Sequence, residues 1–178
     1  MIYMFLANGF EEVEALCPLD ILRRANLDVC TVGIGSQSIT GSHGITVQAD
    51  MADTDFDGAN LEMVILPGGM PGSLNLDASP VVDKALAMAK EMDAYLCAIC
   101  AAPLVLGRRG LLNGKAATCY PGFEDELTGA TTIGGSVVQD GKVITATGMG
   151  VALDFGLTLV AALCGQAEAD RIRTAVRA

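Results

Sequence analysis

Tryptophan is absent from this 178-residue chain, the other aromatics are few (three Tyr, five Phe), and there is one histidine, His43. The core must therefore be built from Ala, Val, Leu, Ile and Met. No apolar run reaches the about 18 residues that a membrane helix needs, so nothing reads as a membrane span. The first residues, MIYMFLANGFEEVE, lack the basic start of a signal peptide and read as a first core strand; a cytoplasmic location is the expectation. Positive charge is also short. Eleven Lys and Arg face 21 Asp and Glu, for a formal charge of −10. Such a chain repels phosphate backbones, which argues against nucleic acid as a direct partner. One imidazole and one C-x-x-C pair, Cys97 and Cys100, supply too few ligands for a tetrahedral zinc site. No metal is expected. There is no linker, low-complexity tract or internal repeat, and a single domain over residues 1–178 is expected.

What is present is alternation. Apolar runs read as strands at Ile2–Leu6, Asp28–Gly33, Met63–Leu66, Tyr95–Ile99 and Ala116–Cys119. Helical patterns fall at Glu11–Ala25, Pro80–Glu91 (Ser79 as N-cap, Pro80 in the first turn), Ala101–Leu106, Gly150–Leu163 and Gln166–Arg177, with a short one near Phe123–Leu127. Hairpins are expected around Gly41–Gly44, between Ile39–Thr40 and Ile45–Ala49, and around Asp140-Gly141, between Val137–Val138 and Val143–Thr145. Strands alternating with helices imply an α/β sandwich: a mostly parallel sheet with helices on both faces. Ligands in such folds bind at the carboxyl ends of the strands. That rule selects Ala7–Glu14, Pro67–Gly72 and Ile99–Pro103. A nucleotide site finds no support there, because LPGGMPG lacks the Lys-Ser/Thr of a phosphate-binding loop and no G-x-G-x-x-G opens a helix.

Each loop has a chemical and a packing reading. Cys100 falls where a strand turns into a helix. A nucleophile on such a turn projects outward beside backbone N–H groups, and the positive end of the helix favours the thiolate. The alternative is an inert core thiol. Cys97, three residues back, lies on the opposite strand face and reads as core. In NGFEEVEALCPLD, Glu11 and Glu12 read as favourable charges at a helix start. Glu14 shares a stripe with Cys17, Pro18, Ile21 and Ala25 and is expected to point inward, although Glu12 has a partly apolar stripe too and periodicity leaves the choice open. Pro18 removes the hydrogen bond to the Glu14 carbonyl and should distort the helix. A buried Glu14 would hold its proton more tightly. The double glycine of LPGGMPG permits positive φ and close approach of N–H groups, so Gly69 and Ala101 are candidate oxyanion donors near Cys100; a plain strand-end turn is the alternative.

Together, ANGFEEVEA, VILPGGMPG and CAICAAP resemble the DJ-1/PfpI superfamily. The resemblance continues through LDILRRAN and TATGMGVALDFGLTLV over essentially the whole chain. It implies a flavodoxin-like three-layer sandwich, a homodimer and no cofactor. It also implies that Cys100 is the reactive elbow cysteine, that Glu14 rather than Glu12 hydrogen-bonds it, and that Gly69 and Ala101 supply the oxyanion donors. By the same resemblance Arg24 and His43 approach the site from the second subunit. Two departures matter. Protease-like members carry His directly after the nucleophile, where this chain has Ala101, so a Cys-His-acid peptidase has no base. The DJ-1 branch, which this chain resembles, often has His where Tyr120 stands, and tyrosine is a poor base at neutral pH. The implied activity is that of a thiol-dependent glyoxalase or deglycase acting on methylglyoxal or related dicarbonyl adducts. The alternative is a redox-stress sensor whose Cys100 oxidises to the sulfinate.

Overall fold

A computed structural model describes residues Met1–Ala178. In chain order the elements are β1 (Ile2–Leu6), α1 (Glu12–Arg24), β2 (Val29–Gly33), β3 (Ser38–Thr40), β4 (Thr46–Gln48), β5 (Met51–Ala52), β6 (Met63–Leu66), α2 (Gly72–Asp77) and α3 (Pro80–Glu91). They continue with β7 (Tyr95–Ile99), α4 (Pro103–Arg108), β8 (Ala116–Ala117), β9 (Thr131–Thr132), β10 (Val137–Asp140), β11 (Val143–Ala146), α5 (Ala152–Cys164) and α6 (Gln166–Ala175).

Strand β1 sits inside the sheet, and all five of its residues are buried. It runs parallel to β2 on one side and β6 on the other. The full order is β10-β11-β7-β6-β1-β2-β5, parallel throughout except for the antiparallel edge pair β10–β11. Side-chain alternation splits the core in two. Tyr3 and Phe5 of β1 join Leu96 and Ala98 of β7 on the face covered by α2, α3 and α4; Ile2, Met4 and Leu6 join Cys97 and Ile99 on the face covered by α1, α5 and α6. The architecture is the α/β sandwich read from the alternation, in the flavodoxin-like three-layer form that the resemblance implied. Each fully buried large side chain of this kind contributes roughly 1.5–3 kcal/mol. No helix is long and apolar enough to cross a membrane.

Element ends differ from the sequence reading, each for a local reason. Glu11 lies outside α1 as its N-cap, with its carboxylate accepting the Glu14 N–H at 2.7 Å. Helix α1 runs unbroken across Pro18, against which α5 packs through Gly156. Helix α4 starts at Pro103 instead of Ala101, because Cys100 takes φ +65° and proline is suited to the first helical turn. β8 ends at Ala117, and the segment near Phe123–Leu127 is a 3₁₀ turn, Glu124–Glu126. Helix α2 and strand β5, six and two residues long, were too short to show a period. The Asp140-Gly141 hairpin forms where expected.

Four loops leave the sheet at the carboxyl ends of β1, β6, β7 and β11. They carry, in that order, the start of α1, Pro67–Pro71, Cys100–Ala102 and Thr147–Gly148, and they meet at one edge.

Candidate active site

Cys100 is the hinge of a tight elbow. Its N–H donates to the Ala146 carbonyl of β11 at 2.9 Å, and its carbonyl accepts the Tyr120 N–H at 2.8 Å. Clamped from both sides, the residue is held in the left-handed region, which a non-glycine residue enters at a cost. The sulfur is half-buried, and the Gly69 and Ala101 N–H groups beside it favour its ionised form. Gly69 can present its N–H because its φ is +92°, and its Cα packs so closely on the Phe10 backbone that no Cβ would fit. Gly68 supplies the second close approach: a Cβ there would lie 2.6 Å from the Cys100 Cβ and would also strike the Glu14 carboxylate.

Glu14 is 1% exposed. Its Oε2 accepts the Gly68 N–H at 3.1 Å, and the Met149 N–H and the Cys100 thiol lie near the carboxyl group and favour its charged form. Burial pushes Glu14 up to about 7, helped by the charge of Glu11, while the Cys100, Gly68 and Met149 hydrogen bonds pull the other way. Burial also pushes the Cys100 thiol up to about 12, with further upward contributions from the charge and hydrogen bond of Glu14; the Gly69 and Ala101 N–H groups oppose them. This corrects the expectation of a lowered thiol. Helix α4 begins three residues beyond the sulfur and is six residues long, so its dipole is outweighed by desolvation. Two of the upward causes disappear once Glu14 carries a proton. The sulfur and the carboxyl therefore behave as one pair, in which ionising the thiol goes with protonating Glu14.

The two acids left open by periodicity are now separated. Glu14 enters the site. Glu12, 4% exposed, turns to the β3–β4 hairpin and accepts the His43 N–H (2.7 Å), His43 Nδ1 (2.8 Å), the Ile45 N–H (3.4 Å) and Ser42 Oγ (3.4 Å). Burial would raise the Glu12 carboxyl, but the His43 ring and backbone donors hold it down at about 2. The reading of Glu12 as a mere dipole charge is thus replaced by a loop anchor. His43, exposed, belongs to this anchor, on a hairpin docked against the start of α1, and does not contact Cys100. Arg24 pairs with Asp20 at 2.7 Å, one turn back on α1. Tyr120, 51% exposed, lies across Gly148 from Glu14.

Gly68, Gly148 and Met149 escaped the sequence reading. Gly68 was visible only as half of a double glycine. The Gly148–Met149 segment follows a strand, so the strand-end rule applied to β11 would have found it. All six cysteines are free thiols, and Cys97 is fully buried in the core, as its strand face implies.

Comparison with known proteins agrees with this fold. The DJ-1/PfpI family profile matches residues 1–162. Protein DJ-1 homolog B of Arabidopsis thaliana is 38% identical over 171 residues, covering 94% of this chain and 39% of that protein. The chain thus spans less than half the length of that relative. A glutathione-independent glyoxalase of Caenorhabditis elegans is 30% identical, covering 91% of this chain and 87% of that protein. The solved structure of oxidized Toxoplasma gondii DJ-1 superposes with a TM-score of 0.94 at 30% identity, covering 98% of this chain and 96% of that one.

Proposed function

The chain belongs to the DJ-1/PfpI family, and on that footing we propose that it is a cysteine-dependent, cofactor-independent glyoxalase or deglycase acting on methylglyoxal or related dicarbonyl adducts. The observation that carries this reading is that the buried Glu14 carboxyl and Cys100 lie against the same glycine, Gly68, whose N–H Glu14 accepts at 3.1 Å. A carboxyl group titrating near 7 is matched to moving protons at neutral pH.

The reaction runs as follows. Cys100 sulfur attacks the aldehyde carbon as its proton passes to Glu14, so the buried thiol need not stand ionised beforehand. The carbonyl electron pair moves to oxygen, where the Gly69 and Ala101 N–H groups receive the negative charge. Glu14 returns its proton to that oxygen and gives the hemithioacetal. As a carboxylate again, it removes the hydrogen on the same carbon as a proton; the C–H electron pair forms a carbon–carbon double bond, the ketone π pair moves to the ketone oxygen, and that oxygen takes up the hydroxyl proton of the first carbon. The first oxygen then re-forms a carbonyl while the double-bond pair takes the proton from Glu14 at the second carbon. The first carbon is oxidised and the second reduced, leaving a thioester. Water cleaves the carbon–sulfur bond, releasing lactate and the thiol. No outside oxidant or reductant is used. A relative named for glyoxalase activity supports this reading. Lactate formation from methylglyoxal should be lost in Cys100→Ser; wild-type turnover at the buffer background would remove the proposal.

A second reading is favoured by the oxidized relative: the same donors would hold the oxygens of a Cys100 sulfinate. Mild peroxide should then add two oxygens to Cys100 before it touches the exposed Cys164. Oxidation of Cys164 first would count against it. Homodimerisation, with Arg24 and His43 reaching toward the second copy, belongs to the same proposal; a monomeric mass in solution would discard that part.

A further inference from the structure

The mechanism uses one of the three carboxylates at the start of α1, and the hairpin anchor uses another. Glu11 is left. Its Oε2 caps the helix at the Glu14 N–H, 2.7 Å away, and its own N–H donates to the Gly68 carbonyl at 2.9 Å. The other end of that glycine, its N–H, belongs to the Glu14 carboxyl at 3.1 Å. Glu11 and Glu14 thus grip the same residue from opposite sides. Arg23 and Arg24, the basic residues of the same helix, are paired with Asp50 and Asp20, and Glu11 enters none of the chain's ion pairs with Lys or Arg. Its charged neighbours are Glu12 and His43, with ligand atoms within 4.8 Å of its own.

We propose that Glu11, whose carboxylate sits on the Glu14 N–H and whose backbone holds the glycine that Glu14 holds from the other side, is a positioning residue that acts on the Glu14–Cys100 pair through its negative charge as well as through its cap. The inference rests on the reading of that pair as the working centre. Among the causes that raise Glu14, the charge of Glu11 stands next to burial. The other groups facing Glu14 are Cys100 from the end of β7, Tyr120 across Gly148, and the Gly68 and Met149 N–H groups. Helix α5, packed along α1, directs its Asp154 to Arg173, away from the site. Glu12 and His43 are engaged with each other and lie beside Glu11. Within this shell Glu11 is the acidic neighbour, so removing its charge lowers the pH at which the pair gives up its proton.

Four variants separate charge from cap: Glu11→Asp keeps both, Glu11→Gln and Glu11→Ser keep a capping oxygen without the charge, and Glu11→Ala keeps neither. The readout is the rate of iodoacetamide alkylation at Cys100 against pH, followed by mass spectrometry, together with the thermal midpoint. Glu11→Gln and Glu11→Ser should shift the alkylation midpoint down by about half a pH unit or more, roughly threefold in rate on the rising limb, as expected for one nearby charge partly screened by solvent. Glu11→Asp should overlay the wild type. The midpoints of Asp, Gln and Ser should stay close to wild type, while Ala melts lower. Gln and Ser curves that coincide with wild type, or an Asp curve displaced as far as Gln, would overturn the proposal. Alkylation requires no turnover, so the two failures are distinct. Separated curves with no lactate formation would sink the functional reading alone; lactate formation with coincident curves would sink this inference alone.

Discussion

Replacing Glu14 by Gln should make the protein's stability much less sensitive to pH. In the folded chain the carboxyl is raised from 4.5 to about 7, with burial as the first cause. Between those values the native state binds a proton that the unfolded chain releases. Stability associated with this group is therefore fully present below about 4.5 and is lost as pH rises through about 7. The rise corresponds to about 3 kcal/mol, or roughly 6–12 °C in thermal midpoint for a chain of this size. Gln cannot ionise, so it escapes that loss. It does carry a constant penalty of about 1–2 kcal/mol, because one amide oxygen must serve both the Gly68 and Met149 N–H groups. The decisive quantity is thus the difference between the two proteins as a function of pH. Denaturant unfolding at pH 4.5, 6, 7 and 8 should show the variant gaining about 3 kcal/mol relative to wild type across the series, and under the proposed function it should form no lactate from methylglyoxal. A wild-type–variant gap that stays constant across that range would refute the buried-carboxyl account.

Gly68→Ala should abolish alkylation at neutral pH and destabilise the fold by about 1–3 kcal/mol, since the new methyl group occupies the space of the Cys100 Cβ and the Glu14 carboxylate; an active, equally stable variant would contradict the packing. Glu12→Ala should cost about 1–3 kcal/mol at pH 7 by stripping the hairpin N–H groups of their acceptor. Because Glu12 is held down at about 2, its contribution is present above about 4.5 and fades as pH falls toward 2. Hydrogen exchange should therefore rise at Ser42–Ile45 in the variant at pH 7, and the difference should narrow in strong acid.

The elbow was legible because its signals are local. A short apolar run ending in Cys100-Ala101-Ala102-Pro103 reports both the end of β7 and the start of a helix. The Asp140-Gly141 hairpin and the Ser79-Pro80 helix start were equally plain. The β3–β4 hairpin was legible as a hairpin but not as a partner of α1, because nothing near His43 in the chain says that a carboxylate 31 residues earlier will receive it. The thiol was misjudged for a related reason. The helix N-terminus is a nearest-neighbour effect that sequence shows, whereas desolvation is summed over groups brought together from β6, β7, β11 and α1.

Alternation and turn residues alone determined a parallel sheet sandwiched by helices, with its chemistry at the strand ends. The tertiary structure decided which acid faces Cys100 there. Glu12 and Glu14 are two residues apart on one helix and so point about 200° apart around its axis. Either could have met the sulfur. Only the packing of α1 against the sheet and α5 turned Glu14 inward to Gly68 and Cys100, leaving Glu12 to the hairpin; a carboxyl group's environment comes from residues far away in the chain, and only folding brings them within reach.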